Sequence, residues 1–429
     1  MSDHDSIPVR GVAHVEGRHS VSPFNFRPEI TEQFHFPEPL ALIDSTIRKV
    51  IYTAGLTTGI PELLQIGEIL QEIGVKDESL NVWWWGADEP NPVEWETVRA
   101  FAKAGFDFHI NVFTDTLVGN GVVPSTRMRR TVDMLAEAGI KTINPGLIEP
   151  PDAAAAQRQA DEFFAFGDYA RAQGLEWTLT IAHCGRRDFD KMIAGSNVAI
   201  AAGARRLDPM DSTSTLSPEA MKLFVRTFRS LLVKPVPMTM HTHDDFGMAA
   251  ATTVAAVTAG ASPDVALNGV SYRSGFAALE EVVLALDVLY GLDTGIRLEK
   301  LQWAADRLAR LMDMPIHPLK PVIGAHQFLR DNPNEIARLH GDARDLFPAF
   351  GCSIDPALVG SELRWVWGQQ GTEHAVRAVA LSLGLTPTAA QVTAMRAELD
   401  RRRDARPGYP KWVEADEVRD VLLAIGTAG

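Results

Sequence analysis

The feature that most constrains this chain is an alternation. From Leu40 to about Tyr290, short β-branched or apolar runs take turns with longer amphipathic stretches. A strand covered on both faces reads as a short continuous apolar run, and a helix packed on it repeats with helical periodicity. The alternation therefore spells βα units around a parallel sheet. Eight such pairs can be drawn, with strands ending near Ser45, Trp84, Val112, Asn144, Ile181, Leu207, Met240 and Leu267. Eight units close on themselves, so the expected fold is α/β, a (β/α)8 TIM barrel.

Local punctuation agrees. Thr58 and Gly59 precede a helix over 60–73 that Gly74 ends, and Ser217, Pro218 and Glu219 supply a cap and a first-turn proline for a helix over 220–232. After Leu292 the alternation stops. A helix over 298–314 leads into the proline-rich 315–321, and further helices are expected over 373–383, 386–402 and 415–425. The expected organisation is an N-terminal extension over 1–39, the catalytic barrel over 40–292, a linker or subdomain over 293–350, and a mostly helical C-terminal module over 351–429. The extension is read either as disordered or as packed on a partner subunit; its Phe24, Phe26, Phe34 and Phe36 speak against full disorder.

Composition excludes several classes. Hydrophobic residues at 46% and charged residues at 22% are those of an ordinary globular chain. No apolar run approaches the roughly 20 residues that span a bilayer, and 1–39 has no secretory apolar core, so a cytoplasmic location without membrane attachment is expected. The two cysteines, Cys184 and Cys352, are too few for a disulfide framework or a cysteine-rich zinc site. A net charge of -14 opposes nucleic acid and favours small-molecule chemistry.

Barrel enzymes carry their chemistry at the carboxyl ends of the strands. The polar residues expected there are Asp44, Arg48 and Lys49 after the first strand, Asn81 in the second, His109 and Asn111 in the third, and Glu149 after the fourth. His183 and Arg187 follow the fifth, Asp211 and Ser212 the sixth, His241 and His243 the seventh, and Asn268, Ser271 and Tyr272 the eighth. The sharpest of these is the segment HTHDDFG at 241–247. Histidines at i and i+2 on a strand share a face, so both imidazoles can reach one ion or one substrate oxygen.

Together, IDSTIRK, LDPMDSTSTLSPE, HTHDDFGMA and NGVSYRSGFAALEEVVLALDVLYGLDTG resemble the family of 2-isopropylmalate synthase, homocitrate synthase and hydroxymethylglutaryl-CoA lyase. The stretch IDPALVGSELRWVWGQQGTEHAVRAVALSLGL is similar to the accessory region of the two synthases. The resemblance implies a TIM barrel that makes or breaks a carbon–carbon bond through an enolate of a 2-oxo or 2-hydroxy acid. It also implies acetyl-CoA or another acyl-CoA as co-substrate, a divalent metal such as zinc, magnesium or manganese, and a homodimer. Carried over by position, the catalytic arginine is Arg48 and the metal-binding histidines are His241 and His243.

Departures from the pattern sit at the metal. Lys49 stands where the family has a ligand Asp and Phe276 where it has a ligand Asn; by the same resemblance Asn81 stands in the place of a catalytic Glu, and Tyr272 in that of the Glu of a GER segment. Lys49 would bring a positive charge to the place of the cation. Two ways of replacing the metal are open to it: as an ammonium donor to the substrate oxygen, or as an amine that forms a Schiff base, its pKa depressed beside Arg48. The plain alternative is an ion pair with Asp44 or Asp211.

In this reading Arg48 binds an enolate or carboxylate through its planar fork, while His241 and His243 serve as acid and base or, with water, hold a metal. Asp211 orients a histidine, and Ser212 and Thr213 match the position where the synthases hold a substrate carboxylate. Asp211 and Ser212 are equally suited to capping the next turn. His109, His183, Arg187 and Tyr272 complete the expected substrate-binding set. Of the three adjacent tryptophans at 83–85, Trp84 or a neighbour is expected to narrow the pocket, although core packing is the commoner use of that side chain. His326 is weighed as a substitute for the synthases' linker histidine against an ordinary surface residue. Three functions follow: a Claisen-type synthase retaining metal, a metal-independent lyase, aldolase or hydrolase with Lys49 and Arg48 as the cationic centre, or a non-catalytic paralogue partnering a true synthase.

Overall fold

A computed structural model describes residues 11–85, 87–116, 126–341 and 351–427 of the chain. Residues 1–10 and 342–350, parts of the expected extension and linker, lie outside these. The chain divides into two compact units. The first holds residues 26–297 and 304–315, and the second holds 12–25, 298–303 and the described residues from 316 onward.

The first unit is the eight-stranded barrel. Its strands are β1 (Ile43–Asp44), β2 (Asp77–Val82), β3 (His109–Thr116), β4 (Thr142–Gly146), β5 (Leu179–Ile181), β6 (Leu207–Asp211), β7 (Thr239–Thr242) and β8 (Ser262–Val265). They pair in parallel in the order β3-β2-β1-β8-β7-β6-β5-β4, and β3 pairs with β4 to close the ring. The helices that follow the strands include α1 (Thr46–Tyr52), α2 (Ile60–Ile73), α3 (Pro92–Ala104), α4 (Thr126–Glu137), α5 (Ala153–Ala172), α6 (Phe189–Ala201) and α7 (Pro218–Ser230).

The helices start and stop where their sequence says. The Glu62 carboxylate accepts the Gly59 N–H at 3.1 Å at the start of α2, and Gly74 ends it at φ 97, a left-handed conformation open to glycine. Along α2, Leu63, Ile66, Leu70 and Ile73 form one fully buried stripe. Ser217 caps α7 by accepting the Ala220 N–H, with Pro218 in the first turn. Two strands differ from expectation in ways that matter for the site. β3 runs to Thr116, four residues past Val112, and β6 begins at Leu207, where its end was expected, and continues through Pro209 to Asp211.

Part of the expected N-terminal extension belongs to this unit: the His35 N–H donates to the Thr258 carbonyl, and the rings of Phe34 and Tyr290 pack at 5.3 Å. In the second unit, β9 (Leu329–Arg330) pairs in parallel with β10 (Arg364–Trp367), and β10 pairs antiparallel with β11 (Val413–Glu414). Helices Glu373–Ser382, Ala389–Asp404 and Ala415–Gly426 surround a core that includes Trp367, Val376, Met395, Leu399 and Leu422. The three helices were legible in the sequence; the small sheet was not. Among the described residues no helix is long and apolar enough to cross a membrane.

One helix contact makes a sharp stability test. Gly167 in α5 faces the Ala202 carbonyl at the end of α6, and a Cβ at position 167 would stand 2.3 Å from that oxygen. Helix propensity alone predicts that Gly167→Ala stabilises by about 1 kcal/mol. Overlap with a backbone oxygen opposes it with about 1–3 kcal/mol. A net loss in the urea midpoint is expected; a gain would show that the two helices separate freely.

Candidate active site at the carboxyl ends of the strands

The site starts from the joint between β1 and α1. Ser45 donates its N–H to the Val265 carbonyl, and Thr46 Oγ1 accepts the Leu267 N–H at 2.8 Å, tying the start of α1 to β8. One turn on, Arg48 and Lys49 are both buried, at 8% and 1% exposure. The Arg48 guanidinium lies 4.1 Å from the centre of the Phe113 ring, and its Nε and Nη1 are buried with no hydrogen-bond partner among the described residues.

Lys49 Nζ lies 3.0 Å from His241 Nε2 and 3.3 Å from His243 Nε2. The tautomers follow from the other ring nitrogens. His241 Nδ1 is 2.6 Å from the Asp264 carboxylate, and His243 Nδ1 is 3.2 Å from the Gly275 carbonyl. A carbonyl oxygen only accepts, and so does an ionised carboxylate, so both Nδ1 atoms carry the proton and both Nε2 atoms present lone pairs. Those lone pairs stand 3.3 Å apart, bridged by the N–H groups that Nζ donates. Aromatic rings close the surroundings: Phe276 has its ring centre 4.4 Å from Nζ and 4.3 Å from the His241 ring, and Tyr272 lies 4.8 Å from the His243 ring.

Electrostatics follow from burial. Lys49 is depressed well below an ordinary lysine, first by burial and then by neighbouring Arg48. Burial and Lys49 likewise depress both histidines, so all three groups favour their neutral forms. The Asp264 carboxyl is raised by burial against the pull of Arg48, the Ser45 hydroxyl at 2.6 Å and Lys49. Beside them the buried carboxyls of Asp44 and Glu78 are register neighbours on β1 and β2; burial lifts Asp44 to about 7, and burial with the neighbouring Asp44 lifts Glu78 well above an ordinary carboxyl.

The residues named from sequence divide into two groups. Arg48, Lys49, His241, His243 and Tyr272 come together. Asn81 is buried, and the neighbouring Tyr52 donates its hydroxyl to Glu94 and feels the Arg48 charge. The Ser212 hydroxyl accepts the His183 N–H at 3.0 Å on an exposed rim, and Thr213 Oγ1 is buried without a partner.

The others are corrected. Asp211 does not orient a histidine: its carboxylate accepts from Thr215 N, Thr215 Oγ1 and Leu216 N, which is the turn-capping alternative, and Asp264 holds His241 in its place. Lys49 pairs with neither Asp44 nor Asp211. His109 is the first residue of β3, at the end of the barrel opposite the mouth, bonded to Thr142 Oγ1 at 2.7 Å, because β3 extends further than expected. Trp84 is buried with its indole N–H on Thr131 Oγ1 of α4 at 2.9 Å, so it packs on the helix layer. The stacked Trp83 and Trp85, with Trp85 edge-on to Tyr52, are the tryptophans on the Arg48 side. Arg187 is not one of the residues corrected: it donates from Nε to the Ala182 carbonyl and from Nη2 to the Leu147 carbonyl. In the second unit, His326 bonds Tyr409 at 3.2 Å and packs on Trp412.

Sequence reasoning missed Asp264 and Arg273. Arg273 pairs with Asp245 at 2.8 Å, lies over Tyr272 and adds to the depression of both histidines. Its signal was visible as the one basic residue kept in SYRSGF; that of Asp264 was an acid in an otherwise apolar strand.

A divalent ion does not fit these residues. The spacing of the two Nε2 atoms is close to the about 3.4 Å that two nitrogens on one tetrahedral ion would show, so the histidines alone would suit a metal. Lys49 Nζ, however, fills the space in front of both, and among the described residues no three His, Cys, Asp or Glu side chains gather as a ligand group. The protein as purified is expected to carry no stoichiometric divalent metal. Lys49→Asp should gain about one equivalent of cobalt(II), read by elemental analysis and the visible band of a nitrogen- and oxygen-ligated ion. One tightly held ion per wild-type chain would contradict this.

The buried acids give a pH test. Asp44 and Glu94 keep their protons to about 7 in the folded chain, against about 4 when unfolded. The folded state therefore binds more protons across that window, and their contribution is present at lower pH and lost as pH rises through 7. Lys49, His241 and His243, being depressed, contribute the opposite slope in wild type and variant alike, so the test is the difference: the urea midpoint of the wild type relative to Asp44→Asn should fall from about pH 5 to about pH 8.

Comparison with known proteins places this geometry. Residues 152–308 match the family model described as HMGL-like. A putative (R)-citramalate synthase of Methanoculleus marisnigri is 30% identical over 382 residues, covering 86% of this chain and 70% of that protein. The homocitrate synthase of Methanopyrus kandleri is 28% identical over 401 residues, with 93% and 96% covered. A 2-isopropylmalate synthase of Caldanaerobacter subterraneus is 28% identical over 339 residues, with 78% and 83% covered. Among solved structures, hydroxymethylglutaryl-CoA lyase from Pseudomonas aeruginosa superposes with a TM-score of 0.52 at 15% identity, over 66% of this chain and 95% of that one, which shows the shared barrel. With its fold, its matched motifs and these relatives, the chain belongs to the family of citramalate, homocitrate and 2-isopropylmalate synthases, within the wider HMGL-like group.

Proposed function

We propose that this chain is an enzyme that makes or breaks a carbon–carbon bond next to the carbonyl of a small 2-oxo or 2-hydroxy carboxylic acid, with an acyl-CoA as second substrate. Kinship supports the reaction class. The observation that carries it to this site is Arg48: a buried guanidinium whose Nε and Nη1 have no partner. Such donors cost several kcal/mol when left unmet, and a carboxylate or enolate oxygen meets them with short charge-assisted bonds. The buried, unpartnered Thr213 Oγ1 is a further donor for the same acid.

His241, held by Asp264 through Nδ1, has the tautomer of a general base, and His243 has the same one. A metal-free lyase or aldolase is the second reading, favoured by one observation: Lys49 Nζ occupies the centre of the constellation. Under either reading the protein acts as a cytoplasmic homodimer on a small acid, without nucleic acid or membrane.

The test is a panel of 2-oxo acids with acyl-CoA, following free thiol and carbon–carbon product together. One acid should support saturable turnover, and Arg48→Lys should lower kcat/KM by about 10²–10³-fold, the loss typical of one oxyanion donor. No carbon–carbon product with any pair, in either direction, would overturn the proposal.

A further inference from the structure

Among the described residues Lys49 is the one buried lysine. Its Nζ is tetrahedral, and three directions are accounted for: the side chain itself, the N–H to His241 at 3.0 Å and the N–H to His243 at 3.3 Å. Both imidazoles are held as acceptors by Asp264 and the Gly275 carbonyl, so neither can turn a donor toward Nζ. Among the described residues the fourth direction meets no hydrogen-bonding group. Arg48, the adjacent residue, keeps unpartnered donors for an anion. A lysine desolvated among aromatic rings beside another cationic side chain is the setting in which an amine acts as nucleophile.

We propose that the fourth direction is where substrate is joined: Lys49 Nζ forms an imine with the carbonyl carbon of the 2-oxo acid whose carboxylate Arg48 receives. This rests on the reading of the substrate as a 2-oxo acid. The Nζ lone pair closes a bond to C2 while the C2–O π pair moves onto oxygen. Nitrogen gives one of its two protons to His241 Nε2, with Asp264 holding Nδ1, and the imidazole returns it to the oxygen, leaving a C2 hydroxyl and one N–H. The nitrogen pair closes the C=N bond as the C2–OH bond breaks, giving the iminium and hydroxide. A proton from C3 passes to a histidine Nε2, the C–H pair becomes C2=C3, the C=N π pair returns to nitrogen, and the imidazolium gives its proton to the hydroxide, which leaves as water. Amine and ketone become enamine and water, with no oxidant or reductant, and hydrolysis reverses the sequence.

The consequence is specific. The carbon made nucleophilic is C3 of the 2-oxo acid, so the new or broken bond is at C3, and C2 keeps its carbonyl after hydrolysis.

The experiment uses the full-length protein with pyruvate, 2-oxobutyrate, 2-oxoisovalerate and 2-oxoglutarate, each followed by cyanoborohydride, intact mass and peptide mapping. One adduct per chain, mapped to Lys49 and requiring the 2-oxo acid, is expected, along with deuterium entry at C3 of the same acid in heavy water. Mapping in the wild type needs no variant. Lys49→Met and Lys49→Arg, checked for native melting, should both lose the adduct and the exchange. No adduct with any of the four acids, or labelling spread over surface lysines, overturns the imine. The two readings fail separately: turnover to a carbon–carbon product without an adduct leaves the reaction class and removes the imine, and an adduct without such turnover does the reverse.

Discussion

The centre of this site depends on two lone pairs that face each other. Asp264 and the Gly275 carbonyl take the Nδ1 protons of His241 and His243, which leaves two bare Nε2 atoms 3.3 Å apart in a buried place. Unbridged, they would repel and lack solvent. A cation or a pair of N–H donors must stand between them, and Lys49 supplies the donors. The rings of Phe276 and Tyr272 suit this arrangement, since the aromatic faces near Nζ need no polar partner and keep water from it.

The segment from Ser45 to Lys49 carries a large share of the arrangement. Ser45 Oγ holds Asp264, Thr46 Oγ1 holds the chain leaving β8, Arg48 waits with unmatched donors, and Lys49 bridges the imidazoles. All are within one helical turn that starts as β1 ends. The barrel's closure brings β7 and β8 beside β1, with His241 opposite Asp264 and Asp264 opposite Ile43 in register. A substitution in this turn would be felt by the fold and by the chemistry at once.

This distribution explains what could be read from sequence. Relations confined to a few residues were legible: the i, i+2 spacing of His241 and His243, the adjacency of Arg48 and Lys49, the caps of α2 and α7, and the βα alternation itself. Relations set by strand length and register were not. His109 seemed to belong to the mouth because β3 was ended four residues early, and Trp84 seemed to follow the strand face, whereas β2 stops at Val82 and the chain turns its indole to Thr131. Asp211 had the right chemistry for a histidine partner, yet three local donors from Thr215 and Leu216 are closer in sequence and take it first. Asp264 could be matched to His241 only once β7 and β8 were in register.

The exchange of an aspartate for Lys49 also has an electrostatic logic. An aspartate with a divalent ion carries a net charge of +1 at all times. A neutral buried lysine carries none, and the iminium derived from it carries +1. Because burial and Arg48 depress Lys49, the centre holds back its charge until a carbonyl carbon is attached, and that charge then arises on the C2=N unit next to the reacting C3, where it takes up the electron pair that C3 releases. The loss of the family's ligand Asn to Phe276 fits the same account: with no ion to coordinate, an apolar ring 4.4 Å from Nζ keeps the amine desolvated, which favours the neutral form that can attack.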